Sequence, residues 1–371
     1  MTPIAWYAHD RDRSWSCASP SEEAIEFHQG LDGYAPTPLV DLVAFADELG
    51  VGHVFAKDES SRLGLPAFKA LGASWAIHRA LRDPQVGRPT EGPLTLVTAT
   101  DGNHGRAVAR FARLLGHRAE IVIPEGVHPR AVRAIVDEGA SVTELRGTYD
   151  DAVREAARRA QVSGGVLVQD TAWEGYEEVP GWVVEGYATL FAEADGQLLT
   201  AGLRPPDFVI VPVGVGSLLQ GALAHYRGHR APQGTAIASV EPDAAACIAP
   251  SLAAGRPVTI PTGPTVMTGL NCGTPSSLAW PYIVAGLDAA IAISDESDIQ
   301  AAHDLARLGI NSGPCGAAGM AAARLALTGP LSDERRQHLG IQRDSIVLLI
   351  ITEGSDANPV PDLQVPRLPG P

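Results

Sequence analysis

Two rhythms of apolar and polar positions run through the chain. Short, nearly unbroken apolar stretches occur at Leu94–Thr100, Ala119–Ile123, Phe208–Val213, Ala236–Val240 and Ser345–Ile351. Strands buried on both faces carry such runs. Between them lie segments whose apolar residues recur three and four positions apart, the spacing of a helix with one buried face. These are Asn103–Leu115, Pro129–Glu138, Asp150–Gln161, Ser217–Arg227, Glu296–Leu308 and Gly316–Ala326. Ser141–Leu145 and Gly165–Gln169 add two strands, and Leu39–Leu49 reads as a helix after the extended Pro36–Pro38. The alternation predicts an α/β fold with two sets of open twisted sheet and a cleft between them. The polar Glu193–Gln197 (EADGQ) reads as a hinge or loop. Residues 1–35 show no clear periodicity, and the proline-rich 359–371 reads as a loose tail.

Composition removes several classes of function. At 371 residues the chain is long enough for about two domains. A net charge of −15 repels phosphate backbones and anionic membranes, so nucleic acid and lipid surfaces are poor partners. No apolar run approaches the roughly 20 residues that span a bilayer, and the N-terminus lacks a signal-peptide layout. Cys17, Cys247, Cys272 and Cys315 show no CxxC spacing, so neither a zinc site nor a disulfide scaffold is indicated. A cytoplasmic protein is expected.

The chain contains only two lysines, Lys57 and Lys69, and they lie close together. Lys57 closes the β-like run His53–Ala56 and precedes Asp58 and Glu59, which reads as a solvated turn. Lys69 follows a loop with Gly64 and Pro66 and opens the helical run AFKALGASWAIHRALR. Apolar neighbours disfavour an ammonium, and a neutral amine is the form that attacks a carbonyl. A lone lysine at a helix start is more often a surface residue, so other loops must decide.

In open α/β sheets, ligands bind beyond the carboxyl ends of strands. Four such loops carry polar chemistry. Thr98–Gly105 (TATDGNHG) presents Asp101 and Asn103, either of which also suits a plain helix cap; His104 alone reads as structural. Val213–Leu218 (VGVGSL) places glycines before a helix, where backbone N–H groups suit a single phosphate. Gly221 follows Gly216 by five positions rather than three, so the dinucleotide fingerprint fails. Gln169–Tyr176 carries Asp170, a cap or a binder of a cationic group, with Trp173 and Tyr176 equally suited to core. Thr352 ends an apolar strand and offers a neutral hydroxyl.

Lysine, Asn-bearing loop, Gly-rich loop and strand-end hydroxyl, in that order, resemble the fold type II (tryptophan synthase β-like) pyridoxal phosphate enzymes. Within them the chain is most similar to the diaminopropionate ammonia-lyases. The resemblance is carried by DGYAPTPL (32–39), AFKALGAS (67–74), ATDGNHGRAVA (99–109), YDDAV (149–153), QDTAWEGYEEVPGWVVEGYATL (169–190), VEPDAAAC (240–247), TVMTGLNCG (265–273) and TEG (352–354). It implies a large pyridoxal-phosphate-binding domain from 1–90 and 195–371, a small α/β domain from 91–194, and a homodimer.

The resemblance also implies roles. Lys69 would form the Schiff base, Asn103 would contact the phenolic oxygen, and Gly214, Val215, Gly216, Ser217 and Leu218 would bind the phosphate. Thr352 would bond the pyridine nitrogen, a neutral partner that favours elimination. Asp101 and Asp170 would face the substrate, Lys69 acting as base on an L isomer and Asp101 on a D isomer. The implied reaction is α,β-elimination of 2,3-diaminopropionate, or a close β-amino-substituted alanine, to pyruvate and ammonia. Two departures stand out. Asn311–Gly316 occupies a stretch where the family often has Glu-Ser-Gly, which bears on the substrate. Cys247 and Cys272 match positions where the family can carry a cysteine pair, reduced thiols being the default in a cytosol. A serine/threonine dehydratase or β-replacement synthase is the alternative on this fold, and a non-catalytic binding protein the alternative of another class.

Overall fold

The longest apolar runs meet in the middle of one sheet. The computed structural model describes residues 4–86, 92–231 and 234–361. Seven strands follow the spatial order Trp6–Ala8, Ala289–Ile293, Ala236–Pro242, Phe208–Pro212, Ile346–Ile351, His53–Asp58 and Leu39–Asp41. The five inner strands are parallel, and the two edge strands pair antiparallel. Phe208–Pro212 and Ile346–Ile351 are buried at every position, because helices cover both faces. The pleat sorts their side chains by twos. Phe208, Ile210, Val347 and Leu349 pack with the helices Val43–Leu49 and Pro314–Leu327. Val209, Val211, Leu348 and Ile350 pack on the other face with Ser217–Tyr226 and Lys69–Ala80.

A second, all-parallel sheet has the order Ser141–Leu145, Arg118–Pro124, Thr95–Ala99 and Val166–Leu167. The helix Lys69–Ala80 is the wall between the two sheets. It packs against Asn103–Leu114, which belongs to the small sheet, and against Glu178–Gly186. Its centre is small: a Cβ on Gly72 would lie 2.6 Å from the Tyr187 ring. Lys69 stands at the N-terminal end of this wall, where the two sheets face each other.

Three expectations need correction. Leu39–Leu49 is not one helix: Leu39–Asp41 pairs with Lys57–Phe55 as an edge strand, non-helical Leu42 turns the chain, and the helix runs Val43–Leu49. The EADGQ stretch is not a hinge. It lies inside the helix Ala188–Thr200, and Glu193, one of its two charged residues, faces inward. Nor is the turn after Lys57 solvated, since Lys57, Glu59 and Arg62 are all fully buried. Glu193 accepts from Lys57 Nζ at 2.6 Å and from Arg62 Nη1 at 2.6 Å, while Glu59 takes Arg62 Nη2 at 2.6 Å. The polar letters thus mark a buried ion network rather than a surface. Residues 362–371 of the expected tail lie outside the described residues. No helix among the described residues is long and apolar enough to cross a membrane.

Candidate active site

Phe208–Pro212 and Ile346–Ile351 are parallel neighbours, with Ile210 opposite Leu349. After Phe208–Pro212 the chain winds toward one edge through Ala236–Pro242, while His53–Asp58 lies on the other side of Ile346–Ile351. Their carboxyl ends therefore open a crevice where strand order reverses, and the Gly-rich loop and Thr352 sit side by side there. Facing them from the small sheet is the Thr100–Gly105 loop. Thr100 Oγ1 accepts from Gly102 N at 3.0 Å and Gly105 N at 3.1 Å. A Cβ on Gly105 would lie 2.3 Å from the Thr100 methyl, so only glycine lets that turn close. The fold brings Lys69, Asp101, Asn103, Asp170, Gly214, Val215, Gly216, Ser217, Leu218 and Thr352 into one cavity.

Lys69 Nζ donates to Asp170 Oδ2 at 2.6 Å. Burial works against the ammonium, but the Asp170 carboxylate outweighs it, with Tyr187 and Asp101 adding, and the amine is held above its usual range. This reverses the expectation of a desolvated, proton-losing Lys69. The amine pushed down is Lys57, where burial outweighs Glu193 and Glu59. Asp170 is the counterpart: burial pushes it up, while Lys69 and then His104 hold it below the usual carboxylate range. Asp101 is pushed up to about 6, by burial first, against the pull of Lys69 and with Asp170 adding. Two carboxylates in one cavity thus differ in proton affinity, the pattern that separates acid from base roles.

Several residues that the sequence left unassigned, or read as structural or equally suited to core, complete the site. Tyr149 Oη lies 3.5 Å from Asp170 Oδ1 and accepts from Gln169 Nε2 at 3.0 Å. His104 Nε2 donates to Val168 O at 2.8 Å, and its Nδ1 lies 3.9 Å from Asp170 Oδ2. Tyr176 accepts from Gln169 N at 3.0 Å and donates to Leu167 O at 2.9 Å, and its ring stacks on Trp173 at 4.5 Å. This pair braces the turn that presents Asp170. Glu353 accepts from Asn103 Nδ2 at 2.5 Å. The signals for Tyr149 and Glu353 were the YDDAV and TEG strings, which name positions without giving contacts. Asn311 is exposed and outside the cavity, whereas Cys315 lines it. All four cysteines are free, Cys247 and Cys272 included.

A family model described as "Pyridoxal-phosphate dependent enzyme" matches residues 31–350. The chain belongs to the pyridoxal-phosphate dependent enzymes. It is 36% identical over 356 residues to diaminopropionate ammonia-lyase of Escherichia coli K12, covering 91% of this chain and 88% of that protein. The Salmonella typhimurium protein of the same name is 40% identical over 281 residues, covering 70% of this chain and 69% of its own length. The crystal structure of the Escherichia coli diaminopropionate ammonia-lyase in complex with an aminoacrylate-PLP azomethine reaction intermediate superposes with a TM-score of 0.85. That match has 35% identity and covers 96% of both chains. Maize serine racemase shares the fold at a TM-score of 0.75 and 25% identity.

The cavity of this pyridoxal-phosphate dependent enzyme suits the group the family takes its name from. Thr352 Oγ1 is buried and has no hydrogen-bond partner among the described residues, which is where a ring nitrogen would find a donor. Gly216 caps the helix Ser217–Tyr226 with φ +102°, a left-handed conformation that favours glycine. A Cβ on Gly214 would lie 3.0 Å from Gly269 O and 3.2 Å from Cys272 Sγ. Bare backbone at a helix N-terminus forms a cradle for a phosphate. Ser217 Oγ, however, donates to Asp170 O at 2.8 Å, so its hydroxyl braces Asp170 and leaves its backbone N–H to the cradle.

Proposed function

We propose that the chain is a pyridoxal-phosphate-dependent carbon–nitrogen lyase. It would convert 2,3-diaminopropionate, or a close β-amino-substituted alanine, with one water into pyruvate and two molecules of ammonia. The observation that carries the reading is the cluster of one lysine and two unlike carboxylates, with Lys69 2.6 Å from Asp170 and Asp101 in the same cavity. A leaving group that is an amine needs an anion to hold it and a proton to leave with. The carboxylates suit that cationic group better than they suit the hydroxyl of serine or threonine.

When bound, pyridoxal phosphate supplies the electron sink that acidifies the α-carbon. The protein's part follows from its own groups. Lys69 would provide the amine that carries the cofactor, the Gly214–Leu218 backbone would hold its phosphate, Thr352 would donate to its ring nitrogen and Asn103 would contact its phenolic oxygen. Lys69 serves as proton acceptor on one face of the substrate and Asp101 on the other, so that L and D isomers use different bases. Asp170 holds the cationic amine. We further propose the division into a large domain (1–90 with 195–371) and a small one (91–194), supported by the four-stranded sheet falling wholly within 95–167. A homodimer, on the strength of the family resemblance, and a cytoplasmic location, on the strength of the composition, complete the proposal, and sedimentation of the purified chain tests the dimer.

The deciding experiment is release of pyruvate and ammonia from D- and L-2,3-diaminopropionate beside L-serine and L-threonine. Twice as much ammonia as pyruvate from diaminopropionate is expected. Turnover of the hydroxy amino acids alone would move the chain to the dehydratases. Lys69→Ala should lose both turnover and the visible absorption of the attached cofactor.

A further inference from the structure

Glu353 lies outside the predicted site residues, yet it spans the cleft. The residue is 3% exposed. One oxygen accepts from Asn103 Nδ2 at 2.5 Å and the other from the Cys315 backbone N–H at 3.3 Å. Asn103 begins a helix on the small sheet, and Cys315 lies in the first turn of Pro314–Leu327 on the large one. A single carboxylate therefore joins the two units at the cavity. Its backbone is fixed as well: Glu353 O accepts from Gly313 N at 3.0 Å, and the next residue, Gly354, donates to Pro66 O at 3.0 Å. The helix N-terminus at Cys315 favours negative charge there. Burial pushes the Glu353 carboxyl up, Asp101 adds to the push, and the hydrogen bonds from Cys315 and Asn103 hold it partly back.

An amide side chain has two ends of nearly equal shape, one that donates and one that accepts. An ionised carboxylate only accepts, so Glu353 selects the nitrogen end of Asn103. No other side-chain hydrogen bond of Asn103 occurs among the described residues. We propose that Glu353 is a positioning residue that sets which way the Asn103 amide faces, leaving its second N–H for the phenolic oxygen of the cofactor. The proposal rests on the reading of Asn103 as a cofactor contact. Glutamine at 353 is nearly isosteric but both donates and accepts, so it would pair with Asn103 in either sense. The carbonyl end would then turn toward the phenolic oxygen in part of the population, two acceptors in contact.

The test is a double-mutant cycle on the full chain, reading two quantities. One is the dissociation constant for pyridoxal phosphate, titrated by absorbance into cofactor-free enzyme. The other is the position of the visible band of the loaded protein. Glu353→Gln should weaken cofactor binding about tenfold and displace the band. In an Asn103→Ala background the same substitution should change neither. An unaltered constant and band in Glu353→Gln would overturn the proposal. So would an effect that persists undiminished in the Asn103→Ala background, because Glu353 would then act without the amide. Should Glu353→Gln fail to fold by circular dichroism, Glu353→Asp, which keeps the charge but shortens the reach, enters the cycle under the same criteria. Lys69→Ala separates the two levels: a visible band that survives there would overturn the cofactor reading itself.

Discussion

Asp101→Asn tests the division of labour between the two carboxylates. Burial raises the Asp101 carboxyl to about 6 from an ordinary 3.8, even with Lys69 pulling it down. At pH 7 about nine-tenths of the molecules then carry an ionised Asp101, and at pH 5 about one-tenth. If Asp101 takes the α-proton of the D isomer, kcat/KM on that isomer should fall about tenfold per unit below pH 6. The L isomer, served by Lys69, should not show this step. Asp101→Asn removes the base while keeping the shape, so turnover of D-2,3-diaminopropionate should drop by about 100- to 10,000-fold. Turnover of the L isomer should stay within about tenfold, since its base is untouched. Stability supplies a second reading. A carboxyl whose folded pKa lies above its unfolded value binds its proton more tightly when folded, so its ionisation costs stability as pH rises from about 4 to 6. At neutral pH the asparagine variant should therefore be more stable by about 3 kcal/mol. Steady-state assays on both isomers from pH 5 to 8, with thermal melts at pH 4 and pH 7, measure all of this. A variant that still turns over the D isomer within tenfold of the parent would refute the assignment. Acid limbs that fall together for both isomers would refute it equally.

Thr352→Val should leave the cofactor-free protein as stable as the parent or slightly more so, because the lost hydroxyl has no partner there. The same variant should bind pyridoxal phosphate about tenfold more weakly, and equal affinity would show that the hydroxyl does not meet the ring. Gly216→Ala forces a side chain into φ +102°, with its Cβ 3.2 Å from both Ala279 and Ile283. A strain of roughly 1–2 kcal/mol in the cradle should appear as weaker binding of the cofactor and of free phosphate, measured by competition. Glu193→Gln leaves buried Lys57 and Arg62 short of a countercharge and should destabilise the chain by about 3 kcal/mol, read in thermal unfolding. Adding Lys57→Met should restore part of that loss, and a melt unchanged by the single variant would show that Glu59 and Gln197 suffice.

The fold was legible wherever burial was carried by a regular period. Ser141–Leu145 matches its strand to the residue, and Asn103–Leu115 and Glu296–Leu308 match their helices to within one position. Ala289–Ile293 was missed, since AAIAI is mostly alanine, which strands disfavour, and has no aromatic residue beside its two isoleucines. Glu178–Gly186 was missed too: with proline and two glycines it has little helix propensity, and packing on Lys69–Ala80 decides its form. The loops around the cavity were legible because glycine, asparagine and aspartate at strand ends have few purely structural uses in such density. Glu353 escaped because a glutamate after a strand gives no sign, from its letter alone, that its partner lies 250 positions away.

The two lysines show most clearly where sequence reasoning stops. Lys57 precedes Asp58 and Glu59 while Lys69 opens an apolar run, and that local apolarity was the ground for expecting a depressed amine at Lys69. Yet the field at an amine is set by whichever charges the fold brings to it, and those come from distant segments: Asp170 for Lys69, Glu193 for Lys57. The outcome inverts the local reading, with Lys57 pushed down inside a stable ion network and Lys69 pushed up beside a carboxylate. The inversion makes chemical sense. Lys57 is locked by Thr37, Glu193 and Gln197 and has no free donor direction left. Lys69 keeps one anionic partner at the edge of a cavity, and once its nitrogen is engaged elsewhere that partner is released to hold another cation. A substrate bearing a second amine is such a cation, so the pairing that stabilises the resting lysine and the recognition of the substrate use the same carboxylate.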